Sequence, residues 1–323
     1  MKREEGTKLK EKIPKKRKRI YILVILAIGY FIGVHLLIPA VQDLSNPLMK
    51  KVSFPLSPLN DSMNEMPKVK SQSAILVDVS SGQTLLEKNA DIAYPVASMS
   101  KLMTEYIVLE QIKNGNIEWD DRVEISRSAN DIDPRGVKLY ISEGDRLTIR
   151  DLFSAMVISS ANNAAKALAE YIAGTEDEFA EIMNDKAQEI GLSDKTHFVN
   201  STGLFNQDGT ENVMTAEDVA VLASQLLKDF PEIVETTKLQ VYELEFDGTV
   251  LKNSNEMMDP NNRELYFDLV DGLKTGFTEA AGYCFTGTAI EGEKRFISVV
   301  MGAKDNEARF EETNNLLSFG FDQ

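Results

Sequence analysis

Histidine and cysteine are almost absent from this sequence, and their scarcity argues against two common kinds of hydrolytic site. Cys284 is the only cysteine, so the chain cannot form an internal disulfide, and we expect Cys284 to be a small buried hydrophobic residue. Of the two histidines, His35 lies in a long apolar run, and we expect His197 to be structural rather than the base of a Ser-His-Asp triad. No cluster of histidine, cysteine and acidic residues has the spacing of a zinc site, so we expect neither a metal nor another cofactor.

Basic residues are scarce except at the N-terminus. The chain has 35 Lys and Arg against 51 Asp and Glu. Residues 1–19 hold ten of the basic and three of the acidic residues, a net charge of +7, so the remaining 25 basic and 48 acidic residues give a net charge of −23. This negative excess argues against nucleic acid as a partner of the main domain.

Charged residues are missing altogether from residues 20–41, IYILVILAIGYFIGVHLLIPAV. A helix of that length spans a bilayer core of about 30 Å. The preceding KKRKR predicts that the N-terminus is cytoplasmic, so residues 1–19 would form a cytoplasmic tail. The chain after residues 20–41 would then lie on the outer side of a bacterial cell membrane. A cleavable signal peptide is the alternative, but the apolar run is longer than the usual limit of about 15 residues. The sequence therefore predicts a transmembrane signal-anchor.

Two further segments follow the predicted anchor. Residues 42–70 mix Pro, Ser and Asn without a clear period and are predicted to be an extracytoplasmic linker. Residues 71–323 are predicted to be one domain, with strands at both ends and helices between them. This order indicates an α+β fold with one mainly antiparallel sheet. The predicted elements are hairpins over 73–89 and 239–253, a helix from Ser98 to about Lys113, a helical hairpin over 148–174 broken near 160–162, helices starting at Thr175 and Thr215, and a C-terminal helix.

The stretch PVASMSKLMT (95–104) places a lysine three residues after a serine, at the start of a predicted helix. Residues i and i+3 share a helix face, so Ser98 and Lys101 would point the same way. A neutral lysine can take the proton of a serine hydroxyl if its surroundings lower the lysine pKa. The S-x-x-K pattern is common, so alone it is a weak indication of a catalytic serine.

Two later motifs are also weak when each is taken alone. The S-A-N sequence at 160–162 falls at the break of the helical hairpin and is either a helix cap or part of a site. The K-T-G sequence at 274–276 lies in a strand-like run, where a glycine often marks the close approach of another backbone. A lysine and a threonine hydroxyl there would suit a carboxylate, but an edge strand protected by a lysine is the simpler interpretation.

The order S-x-x-K, S-x-N, K-T-G along one chain resembles the motif set of penicillin-binding proteins and class A β-lactamases. Longer blocks, such as AILVDVSSGQTLLEKNAD and VDGLKTGFTEAAGYCFTGTA, resemble the low-molecular-weight penicillin-binding proteins, the serine D-alanyl-D-alanine carboxypeptidases, over nearly all of 71–323. The resemblance implies a penicillin-binding-protein/β-lactamase-like transpeptidase fold, with a mainly antiparallel sheet packed with helices. It also implies removal of the terminal D-alanine from peptidoglycan stem peptides ending in D-Ala-D-Ala, and covalent inhibition by β-lactam antibiotics.

The resemblance assigns a role to each motif. Its catalytic residues are Ser98, which forms the acyl-enzyme, Lys101, which accepts the serine proton, and Ser160, which relays a proton to the leaving amine. Its substrate-binding residues are Asn162, which bonds to the peptide backbone or holds Lys101, and Lys274, Thr275 and Gly276, of which the first two hold the terminal carboxylate. Its oxyanion hole is formed by the backbone N–H groups of Ser98 and Phe277.

Three alternatives stay open at the level of sequence. A β-lactamase would need a residue that activates water for deacylation, such as a glutamate after the second motif. A transpeptidase would release the acyl-enzyme to an amine instead of water. A membrane-tethered domain with weak catalysis would bind stem peptides or act as a scaffold for wall-synthesis proteins.

Overall fold

The computed structural model describes residues 66–323. The predicted cytoplasmic tail, the transmembrane segment at 20–41 and most of the predicted linker lie outside the described residues. Among residues 66–323 there is no helix that is both long enough and apolar enough to cross a membrane.

The strands belong to one central sheet and three short pairs. In chain order they are β1 (Ser73–Asp78), β2 (Gln83–Lys88), β3 (Tyr94–Pro95), β4 (Arg122–Glu124), β5 (Arg146–Thr148), β6 (Val213–Met214), β7 (Val241–Glu243), β8 (Val250–Lys252), β9 (Val270–Thr278), β10 (Gly282–Glu291) and β11 (Lys294–Ala303). The central sheet has the order β2-β1-β11-β10-β9, and every neighbouring pair is antiparallel. Strand β9 therefore lies at an edge of the sheet.

In chain order, most of the helices come after β1 and β2 and before β9, β10 and β11, the other strands of the central sheet. They are α1 (Lys101–Lys113), α2 (Arg127–Asn130), α3 (Ile149–Ile158), α4 (Asn162–Ala173), α5 (Glu176–Glu189), α6 (Ala216–Asp229), α7 (Ile233–Thr237) and α8 (Asn306–Phe321). The predicted α+β class, both hairpins and the broken helical hairpin are confirmed. The first helix differs slightly, because a 3-10 turn over Ala97–Ser100 precedes α1.

Both faces of the central sheet are covered, which explains why β1 is apolar without alternation. Ile75 and Val77 of β1 pack into a large cluster with the helices between the strands. Ala74 and Leu76, on the other face, pack into a second cluster with residues of α8 such as Phe310. Successive side chains of a strand point to opposite faces, so the middle of a strand that is covered on both sides, here Ala74 to Val77, is apolar without alternation.

Asp151 links α3 to the β7–β8 hairpin. Thr148 caps α3, because its hydroxyl accepts a hydrogen bond from the Asp151 amide at 3.1 Å. The Asp151 carboxylate, however, accepts bonds from the Tyr242 hydroxyl and from the amides of Glu245 and Phe246, at 2.9–3.0 Å. The hairpin is therefore fixed to the helix by one buried carboxylate.

Replacing Asp151 with asparagine should loosen this connection. The asparagine side chain has the shape of the aspartate but lacks its negative charge, and one of the two accepting oxygens becomes an NH₂ group. We therefore expect Asp151→Asn to lower the free energy of unfolding by roughly 2–3 kcal/mol. Urea denaturation of the full-length protein measures the change. Asp120→Asn is the matched control, because Asp120 is exposed and its contact with Arg150 is long, at 3.4 Å, so the lost charge should cost little. Equal effects of the two substitutions would contradict the structural role of Asp151.

Candidate active site

Ser98 and Lys101 lie side by side at the N-terminal end of α1. The Nζ atom of Lys101 is 3.0 Å from the Oγ atom of Ser98. Ala97 has a φ of 47°, in the left-handed region that few residues other than glycine adopt. The chain thus turns sharply just before Ser98, and the 3-10 turn that follows places both side chains of the S-x-x-K motif together.

Lys101 has three hydrogen-bond partners although its side chain is fully buried. Besides contacting Ser98, Nζ donates to Oδ1 of Asn162 and to the carbonyl oxygen of Thr202, each at 2.7 Å. A neutral amine has two N–H groups and one lone pair, so it can donate to these two oxygens and accept from the Ser98 hydroxyl. The ammonium can donate to all three oxygens. The surroundings of Lys101 therefore suit both protonation states of a general base.

The electrostatics of the site favour the neutral form of Lys101. Burial holds the pKa of Lys101 well below its ordinary value, and the positive charge of Lys274 adds to this effect. The negative charges of Glu105 and Glu176 oppose it. A lysine with an ordinary pKa would be protonated at neutral pH and could not accept a proton.

Ser160 and Lys274 form a second buried pair. Ser160 follows the end of α3 and has a φ of 63°, so the chain changes direction before α4 begins. The Nζ atom of Lys274 lies 2.9 Å from the Oγ atom of Ser160. Strand β9 is an edge strand, but the Lys274 side chain is 1% exposed, so the interpretation of this lysine as edge protection is wrong. Burial lowers the Lys274 pKa, and Glu105 opposes this shift.

Gly276 allows β9 to lie directly against the turn that carries Ser98. A Cβ atom at Gly276 would lie 2.8 Å from the Val96 carbonyl oxygen and 3.2 Å from the Ser98 nitrogen. A larger residue would therefore push the strand away from the serine. The next side chain, Phe277, is about half-exposed and stacks on Tyr283 with ring centroids 4.3 Å apart.

Thr275 is tied to the segment that follows β8. Its hydroxyl lies 2.8 Å from the hydroxyl of Ser254. The Ser254 amide donates in turn to the carbonyl oxygen of Ile158, the last residue of α3. The end of α3, the segment after the hairpin and the K-T-G strand are therefore connected at the site.

The loop at 200–204 supplies the Thr202 carbonyl that holds Lys101. The Asn200 side chain accepts bonds from the backbone of Thr202 and Gly203 and so fixes the turn. Gly203 has a φ of 79°, and a Cβ atom there would lie 1.9 Å from the Ala97 carbonyl oxygen. The loop and the turn before Ser98 are therefore in direct backbone contact.

Several residues that build the site were not singled out from the sequence. Thr202 acts through its backbone, which a sequence pattern does not reveal, whereas Ser254 lies in an N-S-N stretch that resembles a block of the family but was assigned no role. Glu105 is an acidic residue one helical turn after Lys101 on a mostly apolar helix, and this spacing was a usable signal. His197 is exposed and pairs through its backbone with Val213, consistent with a structural role. Cys284 is fully buried, as predicted, and burial raises its pKa to about 11.

Comparison with known proteins identifies the family. The D-alanyl-D-alanine carboxypeptidase family model matches residues 60–305. The D-alanyl-D-alanine carboxypeptidase DacC of Escherichia coli is 36% identical over 80% of this chain and 62% of its own length. DacF of Bacillus subtilis is 33% identical over 78% of this chain and 62% of its own length. The chain thus spans less than two thirds of these relatives.

A solved structure with the same fold extends this result. Penicillin-binding protein D2 from Listeria monocytogenes, in its cefotaxime-bound form, is 38% identical, with a TM-score of 0.72. The match covers 80% of this chain and 100% of the other. The fold is therefore that of the penicillin-binding proteins, and this chain belongs to the D-alanyl-D-alanine carboxypeptidase family.

Gly203→Ala tests the contact between the loop and the turn before Ser98. Because the new methyl group would overlap the Ala97 carbonyl, we expect a loss of about 3 kcal/mol or more in the free energy of unfolding. Gly209→Ala is the control, because Gly209 has a similar φ of 85° but open space around it, so only the backbone cost of about 1 kcal/mol applies. Urea denaturation compares the two variants, and equal losses would contradict the close packing.

Proposed function

We propose that this protein is a serine D-alanyl-D-alanine carboxypeptidase that removes the terminal D-alanine from peptidoglycan stem peptides through an acyl-enzyme on Ser98. The observation that carries the proposal is the 3.0 Å contact between the Ser98 hydroxyl and the buried amine of Lys101. Family membership and the β-lactam-bound neighbour support it. β-Lactam antibiotics would accordingly acylate the same serine.

Acylation begins when Ser98 Oγ attacks the carbonyl carbon of the penultimate D-alanine. The hydroxyl proton passes to the lone pair of Lys101 as the C–O bond forms. The backbone N–H groups of Ser98 and Phe277 stabilise the resulting oxyanion, and each such donor contributes about 3–4 kcal/mol to the transition state. Gly276 keeps the second donor close by allowing β9 to approach Ser98.

Departure of D-alanine requires a proton on its nitrogen. In our proposal, the proton held by Lys101 passes through the Ser160 hydroxyl to the amine as the C–N bond breaks. Lys274 donates to the Ser160 oxygen, at 2.9 Å, and this leaves the hydroxyl proton free for the amine. Water then attacks the ester, Lys101 takes a proton from it, and the same proton returns to Ser98 as the acyl group leaves.

Recognition of a free C-terminus is assigned to the K-T-G strand. The Thr275 hydroxyl, held by Ser254, donates to the terminal carboxylate, and the charge of Lys274 attracts it. Asn162, by contrast, positions Lys101 and is not assigned to the carboxylate. Its Oδ1 accepts from Lys101 and its Nδ2 donates to the Val137 carbonyl oxygen, so the amide positions the base.

The location of the enzyme follows from the N-terminal sequence. We infer a single-pass protein of the bacterial cell membrane, anchored by residues 20–41, with a linker at 42–70 and the catalytic domain at 71–323 outside the cell. The uncharged run and the basic block before it support this arrangement. The substrate is part of the cell wall, so an extracytoplasmic domain is required.

The buried lysines argue against a domain that only binds stem peptides. Burying the charged form of a lysine costs several kcal/mol, and this site buries two lysine side chains, Lys101 and Lys274, whose pKa values are both lowered as a result. A binding protein gains nothing from a lysine whose pKa is lowered beside a serine, whereas an acyl-transfer enzyme needs one.

Release of D-alanine from diacetyl-Lys-D-Ala-D-Ala by the purified full-length protein in detergent tests the proposal. We expect Ser98→Ala to reduce release by at least about a thousandfold and to abolish labelling by a fluorescent penicillin, because the nucleophile is gone. Ser159→Ala, which removes only a hydroxyl bonded to the helix carbonyl of Ala155, is the control and should retain activity.

Other outcomes separate the alternatives. Rapid turnover of the penicillin would indicate a β-lactamase, and repeated release of D-alanine only when an amine acceptor is added would indicate a transpeptidase. If intact protein neither released D-alanine nor reacted with penicillin, the proposed function would be contradicted.

A further inference from the structure

Glu105 is a buried carboxylate that the proposed mechanism does not use. It follows Lys101 by four residues on α1, so the two side chains share one face of the helix. Its side chain is fully buried, and neither carboxylate oxygen has a hydrogen-bond partner among residues 66–323. A buried polar group without a partner is rare in native proteins and destabilising, so its presence needs an explanation.

The two buried lysines of the site are the charges that act on Glu105. Lys274 has the larger effect on its charge and Lys101 the smaller one. Glu105 also acts directly on Lys101, whose pKa it raises, but the lowering effect of Lys274 on the same group is larger. Two other charges act on the lysines: Arg309 of α8 lowers the pKa of Lys274, and Glu176 of α5 raises that of Lys101. Several other charged groups on the helices packed around α1 have partners of their own: Lys166 with Glu176, Lys186 with Glu110, Asp151 with the β7–β8 hairpin and Asp229 with Tyr106.

The number of buried charges limits which protonation states are possible. If Lys101, Lys274 and Glu105 were all ionised, the site would hold one uncompensated positive charge. A general base at Lys101 must be neutral, and the charges of Lys274 and Glu105 then cancel. This state leaves the least uncompensated charge among these three groups, while Lys274 keeps the positive charge that attracts the substrate carboxylate.

We propose that Glu105 sets the protonation states of the two lysines. Its carboxylate keeps Lys274 protonated, and the charge on Lys274 in turn keeps Lys101 neutral. The inference rests on the proposed function, because it assigns a purpose to the two lysines. Glu105 itself contacts neither the substrate nor the reacting atoms.

The directions of the pKa shifts agree with this arrangement. Burial lowers the pKa of Lys274, and Glu105 is the nearby charge that most strongly opposes the shift. Burial raises the pKa of Glu105, and Lys274 is the charge that most strongly opposes that shift. Each of the two groups therefore favours the ionised form of the other.

The pH dependence of acylation by a fluorescent penicillin tests the inference on the full-length protein. In the wild type, the rate should rise as Lys101 loses its proton and fall as Lys274 loses its own. Without the carboxylate charge, Lys274 loses its proton at lower pH. We expect Glu105→Gln to move the falling limb to lower pH by about one unit, which is roughly a tenfold lower rate on that limb.

Two matched variants complete the experiment. Glu110→Gln removes a carboxylate from the same helix, where it pairs with Lys186 at 2.7 Å, and should leave both limbs in place. Glu105→Asp keeps the charge but moves it away from the lysines, so its falling limb should lie between those of wild type and Glu105→Gln. If Glu105→Gln does not fold, the limb of Glu105→Asp decides the question.

A falling limb that stays in place would overturn the inference, even if the rate dropped equally at every pH, because a packing defect would have that effect. An intact wild-type protein that does not react with penicillin at any pH would instead contradict the proposed function, and with it this inference.

Discussion

The burial of two lysine side chains within one site is the constraint on which the rest of the structure depends. An ammonium group in a protein interior needs hydrogen-bond acceptors and a nearby opposite charge, or it loses its proton. Lys101 has three oxygen partners and a second lysine nearby, so its neutral form is favoured. Lys274 has the Ser160 hydroxyl and the field of Glu105. In our proposal, this difference between two similar groups is what makes Ser98 a nucleophile.

The fold provides the rigid elements that such a site requires. Strand β9 approaches the turn before Ser98 only because position 276 is glycine, and the 200–204 loop reaches the same turn only because position 203 is glycine. The break between α3 and α4 turns Ser160 toward Lys274, and Ser254 joins that break to the K-T-G strand. The charged groups are thus held by backbone contacts from four separate parts of the chain, which fixes their distances before any substrate binds.

The sequence predicted most of the elements because they follow from local patterns: β1 from its apolar run, α3 from its start at Thr148, and the separation of α3 from α4 from the polar break at 160–162. The three motifs and their order are read directly from the sequence, and the family resemblance supplied the roles expected of their residues. The sequence could not predict that Lys274 would be buried on an edge strand, since that depends on the helices packed over it. Nor could it predict the Thr202 carbonyl or the position of Asp151 beneath the hairpin, because these contacts join residues 91–101 positions apart.

The measurement that tests the account most directly is the protonation state of Lys101 itself. ¹³C NMR of the lysine side chains in the full-length protein in detergent, followed across pH, reports the pKa of each resolved lysine. Our account predicts one lysine that is still neutral at a pH where the others are protonated, and predicts that its signal disappears in Lys101→Met. If every lysine titrated near the ordinary value of about 10.4, or if the unusual signal persisted in Lys101→Met, the buried lysine could not be the base that activates Ser98.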